Sequence, residues 1–348
     1  MKNIVFAAFT LFALALNFAA PSLADTKRGT APLGRSAELI SLLPASDAVA
    51  TVDAKRFIGE ALPGLLSANP TLLGKITSSI DELQSKTGVD MRQFDTVVAG
   101  FAIKKISAKN FDFDPVVVAR GQINSGALIA EAKLAANGKY REEKAGTRTI
   151  YIFAPKEIAK QKAAGDAKKL EMIDKAGGPL AREMALTAYD ANTIVGGSLV
   201  RVRELLAAKT KVSTELAGYL GRTDGALIDF AAKAPNGMSG MLPLDNDELG
   251  KNIDSIRVLY GNMSVSGETT TLNATAKTLQ PEQAKSLKET LDGLQMIGKA
   301  FLGSSKSADK QVYARMIDNA RFTQTGNEVS LVLSVPQSDI NVLVASIK

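Results

Sequence analysis

The sequence predicts an α+β fold made of two diverged repeats, each a mostly antiparallel sheet covered by helices on one face. Three observations carry this reading. Strand-length runs bounded by turn residues recur, two of them rich in Val (96–103 and 116–123) and one alternating Thr and Asn with apolar residues (269–278). Segments with apolar residues three and four apart stand between the runs, most regularly at 281–301. The order strand, helical stretch, two strands, helix, hairpin, further helix occurs twice along the chain. The expected boundaries are a signal peptide at 1–24, a flexible lead-in at 25–37, a first repeat at 38–210 with a charged insertion at 156–182, and a second repeat at 211–348. Whether the repeats share one sheet stays open at this level.

Taken in order, Lys2 precedes the apolar run Ile4–Ala20. Pro21 breaks that run, and Ser22-Leu23-Ala24 offers small residues to a signal peptidase. The expected mature chain, Asp25–Lys348, is exported to the periplasm or beyond the cell and holds no further apolar stretch long enough to span a membrane. Pro44-Ala45-Ser46-Asp47 turns into a strand at 48–52. A helix at 57–66 is expected to break at Pro63-Gly64, and a second begins at Asn69 as cap with Pro70 in its first turn, striped by Leu73, Ile76, Ile80 and Leu83. Strands 96–103 and 116–123 follow, then a helix opened by Asn124-Ser125, then the hairpin 139–153 turning near Gly146. The mixed charges of 156–182 read as a solvated excursion. Hairpin 184–195 and helix 199–208 complete the first half's pattern, and a spacer with a short helix at 214–220 leads to strand 226–232. The second half adds hairpin 255–278, helix 281–301 with Ala284, Leu287, Leu291, Leu294 and Phe301 on one face, hairpin 321–335 turning at Gly326-Asn327, and a last helix from Asp339.

Composition removes whole classes of function. With no Cys and no His among 348 residues there is no disulfide, thiolate nucleophile, imidazole base or His-ligated metal. With no Trp and 5% aromatics, the stacking platforms that bind sugars or single-stranded nucleic acid are scarce. The 42 basic against 36 acidic residues are spread along the chain, which is no nucleic-acid signature.

Several short motifs imitate chemistry. Gly293–Lys299 matches GxxxxGK, but Ala300 follows where a Ser or Thr should hold magnesium, and the segment sits in a helical pattern. Ser307-Ala308-Asp309-Lys310 and Lys86-Thr87-Gly88 fit SxxK and KTG, in the reverse of the penicillin-binding order. Asp245–Gly250 resembles a calcium loop with Leu249 at a ligand position and Ile256 where a Glu belongs. Asp112 and Asp114 flank Phe113 on an expected turn, and Gly196-Gly197-Ser198 is expected as a tight turn with Ser198 as helix cap. None is assigned as a catalytic, cofactor or metal residue, and no cofactor is expected.

Leu42–Asp47, Thr87–Asp90, Phe94–Gly100, Val116–Gly121, Thr149–Phe153, Asn192–Gly197, Glu282–Leu294 and Gly326–Pro336 together resemble a group of uncharacterised secreted bacterial proteins of two-part α+β build, a domain of unknown function. The resemblance covers most of the mature chain except 156–182, and it implies no catalytic residues. Three functions follow as expectations. The first is a non-enzymatic binding or structural protein of the bacterial envelope, with another protein or an envelope component as partner. The second is a carrier of an apolar small molecule or lipid in a helix-covered cavity lined by Leu62–Leu66 and Leu72–Ile80. The third is a serine–lysine hydrolase using Ser307 and Lys310.

Overall fold

The computed structural model describes residues 35–87, 90–107, 111–162, 166, 170–172, 182–241, 247–302 and 307–345. The expected signal peptide, Gly88, the greater part of 156–182, and Asp245-Asn246 lie outside the described residues. The chain is α+β. Its strands are β1 (Ala48–Asp53), β2 (Phe94–Lys105), β3 (Phe111–Gly121), β4 (Tyr140–Ala145), β5 (Arg148–Phe153), β6 (Met184–Asp190), β7 (Thr193–Ser198), β8 (Ile228–Lys233), β9 (Ile256–Ser266), β10 (Thr269–Thr278), β11 (Arg321–Thr325) and β12 (Glu328–Pro336). They form one twelve-stranded sheet in the order β11-β12-β10-β9-β8-β1-β2-β3-β7-β6-β5-β4, antiparallel at every pairing. The two halves of the chain therefore share a sheet, joined where β1 pairs with β8.

The helices are α1 (Arg35–Leu42), α2 (residues 54–65), α3 (Pro70–Thr87), α4 (Ser125–Ala135), α5 (Pro155–Lys162), α6 (Leu199–Ala207), α7 (Thr214–Ala217), α8 (Asp247–Asp254), α9 (Pro281–Leu302), α10 (Ala308–Asn319) and α11 (Gln337–Ala345). Caps read from the sequence are in place. Asn69 accepts from the Leu72 amide at 2.9 Å, Asn124 from Ala127 at 3.0 Å, and Ser198 from Arg201 at 3.3 Å.

Helices lie on both faces of the sheet, where the sequence predicted one. The reason is in the central strands. Val97-Val98 and Val116–Ala119 are apolar at consecutive positions, so both faces need cover. On the front face Val49, Val98, Val116, Val118, Ile150, Ile152 and Val195 pack with Leu39, Leu43, Leu199, Val202, Leu205 and Leu216 from α1, α6 and α7, in the largest buried cluster of the fold. α1 starts at Arg35, and the earlier residues of the expected lead-in lie outside the described ones. Leu39, Ile40 and Leu43 are buried, and they seat a helix that starts at Arg35. On the back face two smaller clusters form. Ala54, Phe94, Ala119 and Ile123 meet Leu128 of α4, and Ile256 and Val329 meet Ala284 and Leu287 of α9.

α2 does not break at Pro63-Gly64. It runs through as a short α turn, a π turn over Phe57–Ala61 and a further α turn, with the Leu62 amide donating to Phe57 O. A proline cannot donate to the carbonyl four residues back and its ring displaces it, so the irregularity falls just before Pro63. α9 also departs from its pattern. Ala284 and Leu287 are buried, but Leu294 and Phe301 are 43% and 77% exposed. The helix outruns the sheet it packs on. Gln295 Nε2 donates to Ile317 O at 2.6 Å and to Ala320 O at 2.7 Å, immediately before β11 begins, so the last two turns overhang.

Candidate functional site

The residues that imitate chemistry in the sequence are held by structural bonds. Ser307 opens α10 exposed and donates to Asp309, and Lys310 is exposed in the same first turn. That bond holds the Asp309 carboxyl below its usual range. Lys86-Thr87 closes α3, on a different element from Ser307. Gly293–Lys299 is helical within α9. A Cβ on Gly298 would stand 2.9 Å from Ile317 Cδ1, and Lys299 pairs with Asp318 at 2.9 Å, so glycine and lysine serve the packing of α9 on α10. Asp247–Gly250 begins α8. Asp112 and Asp114 face Arg182, which bonds Asp112 and lies 3.6 Å from Asp114, so a cation already answers both carboxylates. Gly196 and Gly197 are not a turn. They pair inside β7, and a Cβ on Gly197 would come within 2.5 Å of Pro115 O, so the neighbouring strand demands glycine. Among the described residues no three acidic, His or Cys side chains gather as a metal site.

The feature that does stand out is the back face. Its residues follow from strand register, because directly opposed residues point the same way. One row runs Val97, Val52, Ile228, Met263, Leu272 and Leu333. The next runs Leu186, Gly196, Val117, Ala99, Ala50, Phe230, Gly261, Ala274 and Leu331. A third runs Phe101, Ala48, Ala232, Leu259, Ala276 and Val329. No polar side chain interrupts these rows. Yet Val52, Ile228, Met263, Leu272, Phe230, Leu331 and Leu259 are only half-buried, and none belongs to a buried cluster. The large front-face residues Val49, Val98, Val116 and Val118 are at most 1% exposed. The front face is thus sealed over the strands of the first half, while the back face is apolar and in part only half-buried.

Over the back face lie α4, α9 and the start of α2. Ala54 packs beside Phe94 and Ala119, over β2 and β3. Residues 64–69 reach α11, which follows β12: Gln337 Nε2 donates to Gly64 O at 2.8 Å, Asn69 Nδ2 donates to Val344 O at 2.9 Å, and Ser67 lies 3.3 Å from Asn341. The segment therefore runs from Ala54 beside β2 to α11, which follows β12. α3 then returns to touch α4. Of the expected lining at 62–66 and 72–80, Leu62, Leu65, Leu72, Leu73 and Ile76 are half-buried, and Leu66 and Ile80 are buried. The back-face residues are ordinary strand positions in the sequence until register aligns them.

The front face of the second half is polar instead. Asp229 lies between Thr51 and Asn262 across the strands. Burial pushes its carboxyl up to about 6 despite hydrogen bonds from the Gly221 amide and the Thr51 hydroxyl. Asn262 donates to Thr223 and accepts from Asn273, both at 2.8 Å. Beside them Tyr219 stacks on Tyr260 at 4.1 Å, with Arg222 over both rings and Lys277 Nζ 3.0 Å from the Tyr219 hydroxyl. This bracket fastens the turn after α7 to the sheet. A cavity of about 460 Å³ opens at the start of α4, lined by the amides of Gln93, Gln122, Asn124 and Asn192 with Ile123 and Leu128.

No helix among the described residues is long and apolar enough to cross a membrane. No family model matches the chain, and no curated protein does. Among solved structures, crystal forms IV, I and III of TP0453 align with TM-scores of 0.42, 0.42 and 0.44 at 8%, 9% and 8% identity. Each alignment covers 88% of this chain and 96%, 96% and 98% of the other, respectively.

Proposed function

We propose that this chain is a non-enzymatic, exported binding protein of the bacterial envelope, acting in the periplasm or outside the cell, and that it holds its partner on the back face of the sheet. The observation that carries the reading is the contrast between the faces. A fold that buries Val98 and Val116 completely on one side leaves Phe230, Met263 and Leu331 half-buried on the other. Apolar surface left in this state is stabilised by whatever covers it. The carrier reading is the more specific form of the same proposal and draws on the same face, since its strand rows are apolar.

The strand order supports a further part of the reading, that the halves are diverged repeats. Outward from the central pair, β1-β2-β3 mirrors β8-β9-β10. A hairpin then abuts each third strand, β7-β6 on one side and β12-β11 on the other, each followed by a helix. The hairpin matching β11-β12 is therefore β6-β7, and β4-β5 is an addition at the edge.

The test is to purify Asp25–Lys348 from its native compartment, alongside the Phe230→Asp and Leu331→Asp variants, and to record native masses. Added mass on the wild type that both variants lose supports the reading. The same added mass on all three places the partner elsewhere and overturns it.

A further inference from the structure

We infer that a notch between β5 and β6, near the β4 edge of the sheet, binds a phosphate group, carried by a phosphate monoester or present as the free ion. The site is separate from the back-face reading and does not depend on it. It forms where the ladder stops. β5 and β6 pair only at Tyr151↔Leu186, Ile152↔Ala185 and Phe153↔Met184. Towards the β4–β5 turn the two strands are joined by side chains instead. The Thr187 hydroxyl donates to Thr149 O at 2.9 Å, and Arg148 Nε donates to Tyr189 O at 3.0 Å. The opening is a cavity of about 400 Å³ lined by Thr147, Arg148, Thr149, Tyr151, Ala188 and Tyr189.

The donors in the notch are positioned in advance. Arg148 is held twice, by Nε on the Tyr189 carbonyl and by its guanidinium 4.1 Å from the Tyr189 ring centroid. That fixes the fork, while its terminal N–H groups have no partner among the described residues. Lys144 Nζ donates to the Thr149 hydroxyl at 2.8 Å. This brings a second cation to the wall of the notch and leaves the hydroxyl's own proton to donate. Thr147 adds another hydroxyl. The acids of β4 and β6 are engaged elsewhere: Glu142 with Lys133 at 2.9 Å, Glu143 with Arg203 at 2.5 Å and Asp190 with Arg120 at 3.7 Å. β5 has none. Charge then decides between anions. A carboxylate brings one negative charge and two oxygens. A phosphate monoester brings a charge of about −1.5 to −2 at pH 7 and three terminal oxygens. Two cations without acid partners and two hydroxyls match the phosphate in charge and in donors, and a guanidinium fork takes two of its oxygens at once. The remainder of an ester would lie against the Tyr151 ring and Ala188.

The experiment is equilibrium dialysis of Asp25–Lys348 against inorganic phosphate and against glucose 6-phosphate, at about 0.15 M salt, with acetate as competitor. Saturable retention of at least one phosphate is expected, with acetate competing at least about tenfold more weakly. Lys144→Met is expected to weaken binding about tenfold and Arg148→Gln by more, while Lys144→Arg retains it. Lys144 is exposed, so its variants test the site even where Arg148→Gln loosens β5 from β6. Lys285→Met removes the same charge from α9 and is expected to leave binding unchanged. Tighter binding of glucose 6-phosphate than of inorganic phosphate identifies an ester as the ligand, and the reverse identifies the free ion. Retention of neither phosphate overturns the inference. So does acetate competing as well as phosphate itself. Equal weakening by Lys144→Met and Lys285→Met overturns it too, because attraction to the net charge of the chain then accounts for the binding.

Discussion

Asp229 shows how one buried carboxylate sets a pH response. Its proton is held more tightly in the folded chain than in the unfolded one, because burial raises its pKa from 3.8 to about 6. Between those values the native state binds more protons, so this group's contribution to stability falls as pH rises from about 4 to 6 and stays lost above. The shift corresponds to about 3 kcal/mol. Asp229→Asn keeps an acceptor for the Gly221 amide and the Thr51 hydroxyl without the buried charge. It is expected to raise stability by about 1–3 kcal/mol at pH 8, with the gap closing below pH 5, in denaturant titrations followed by Tyr emission. Arg201 is the opposite case. It is 4% exposed and donates to Ala45 O and Ser46 Oγ, both at 2.8 Å, while pairing with Glu204. Arg201→Ala is expected to cost about 3–5 kcal/mol in the same titration, because a buried side chain's volume and its bond to the buried Ser46 hydroxyl are both lost. Neither residue was conspicuous in the sequence. An Asp inside Ile228-Asp229-Phe230 and an Arg inside a charged helix look like solvent-facing positions until neighbouring strands and helices close over them.

At the scale of elements, the sequence was most readable where the signal is local. The caps at Asn69, Asn124 and Ser198, the turns at Gly146 and Gly326, and the alternation of 269–278 all depend on residues within a few positions of each other. The misreadings depend on distant chain. Gly196-Gly197 reads as a turn until Pro115 of β3 is seen to crowd it. The stripe of α9 continues past Leu291 because periodicity knows nothing of where the sheet ends. Gly261 belongs to the same class. A Cβ there would stand 1.9 Å from Asn273 O on β10, so Gly261→Ala is expected to destabilise by about 3 kcal/mol or more, read as a shift in unfolding midpoint. Pro63 makes a prediction about α2. With Pro63→Ala the π turn can revert to an α turn, which turns everything after it by about 100° and carries Ser67 away from Asn341. A disulfide engineered by Ser67→Cys with Asn341→Cys is then expected to form more slowly than with Pro63 in place, measured by loss of free thiol.

For the molecule as a whole, the α+β class was legible, and the single sheet and its two unequal faces were not. The sheet's unity rests on the β1–β8 pairing, between residues almost two hundred positions apart. The back-face rows exist only once twelve strands are in register. No window of sequence contains Val52, Phe230, Met263 and Leu331 together. The central claim is that this assembled face, not any single motif, is where the protein binds. Methyl NMR of Asp25–Lys348, titrated with palmitic acid, addresses it most directly. The account predicts shifts at Ile228, Met263, Leu272 and Leu331 with Val49, Val98 and Val118 unmoved on the front face. Shifts confined to the front-face methyls would contradict it.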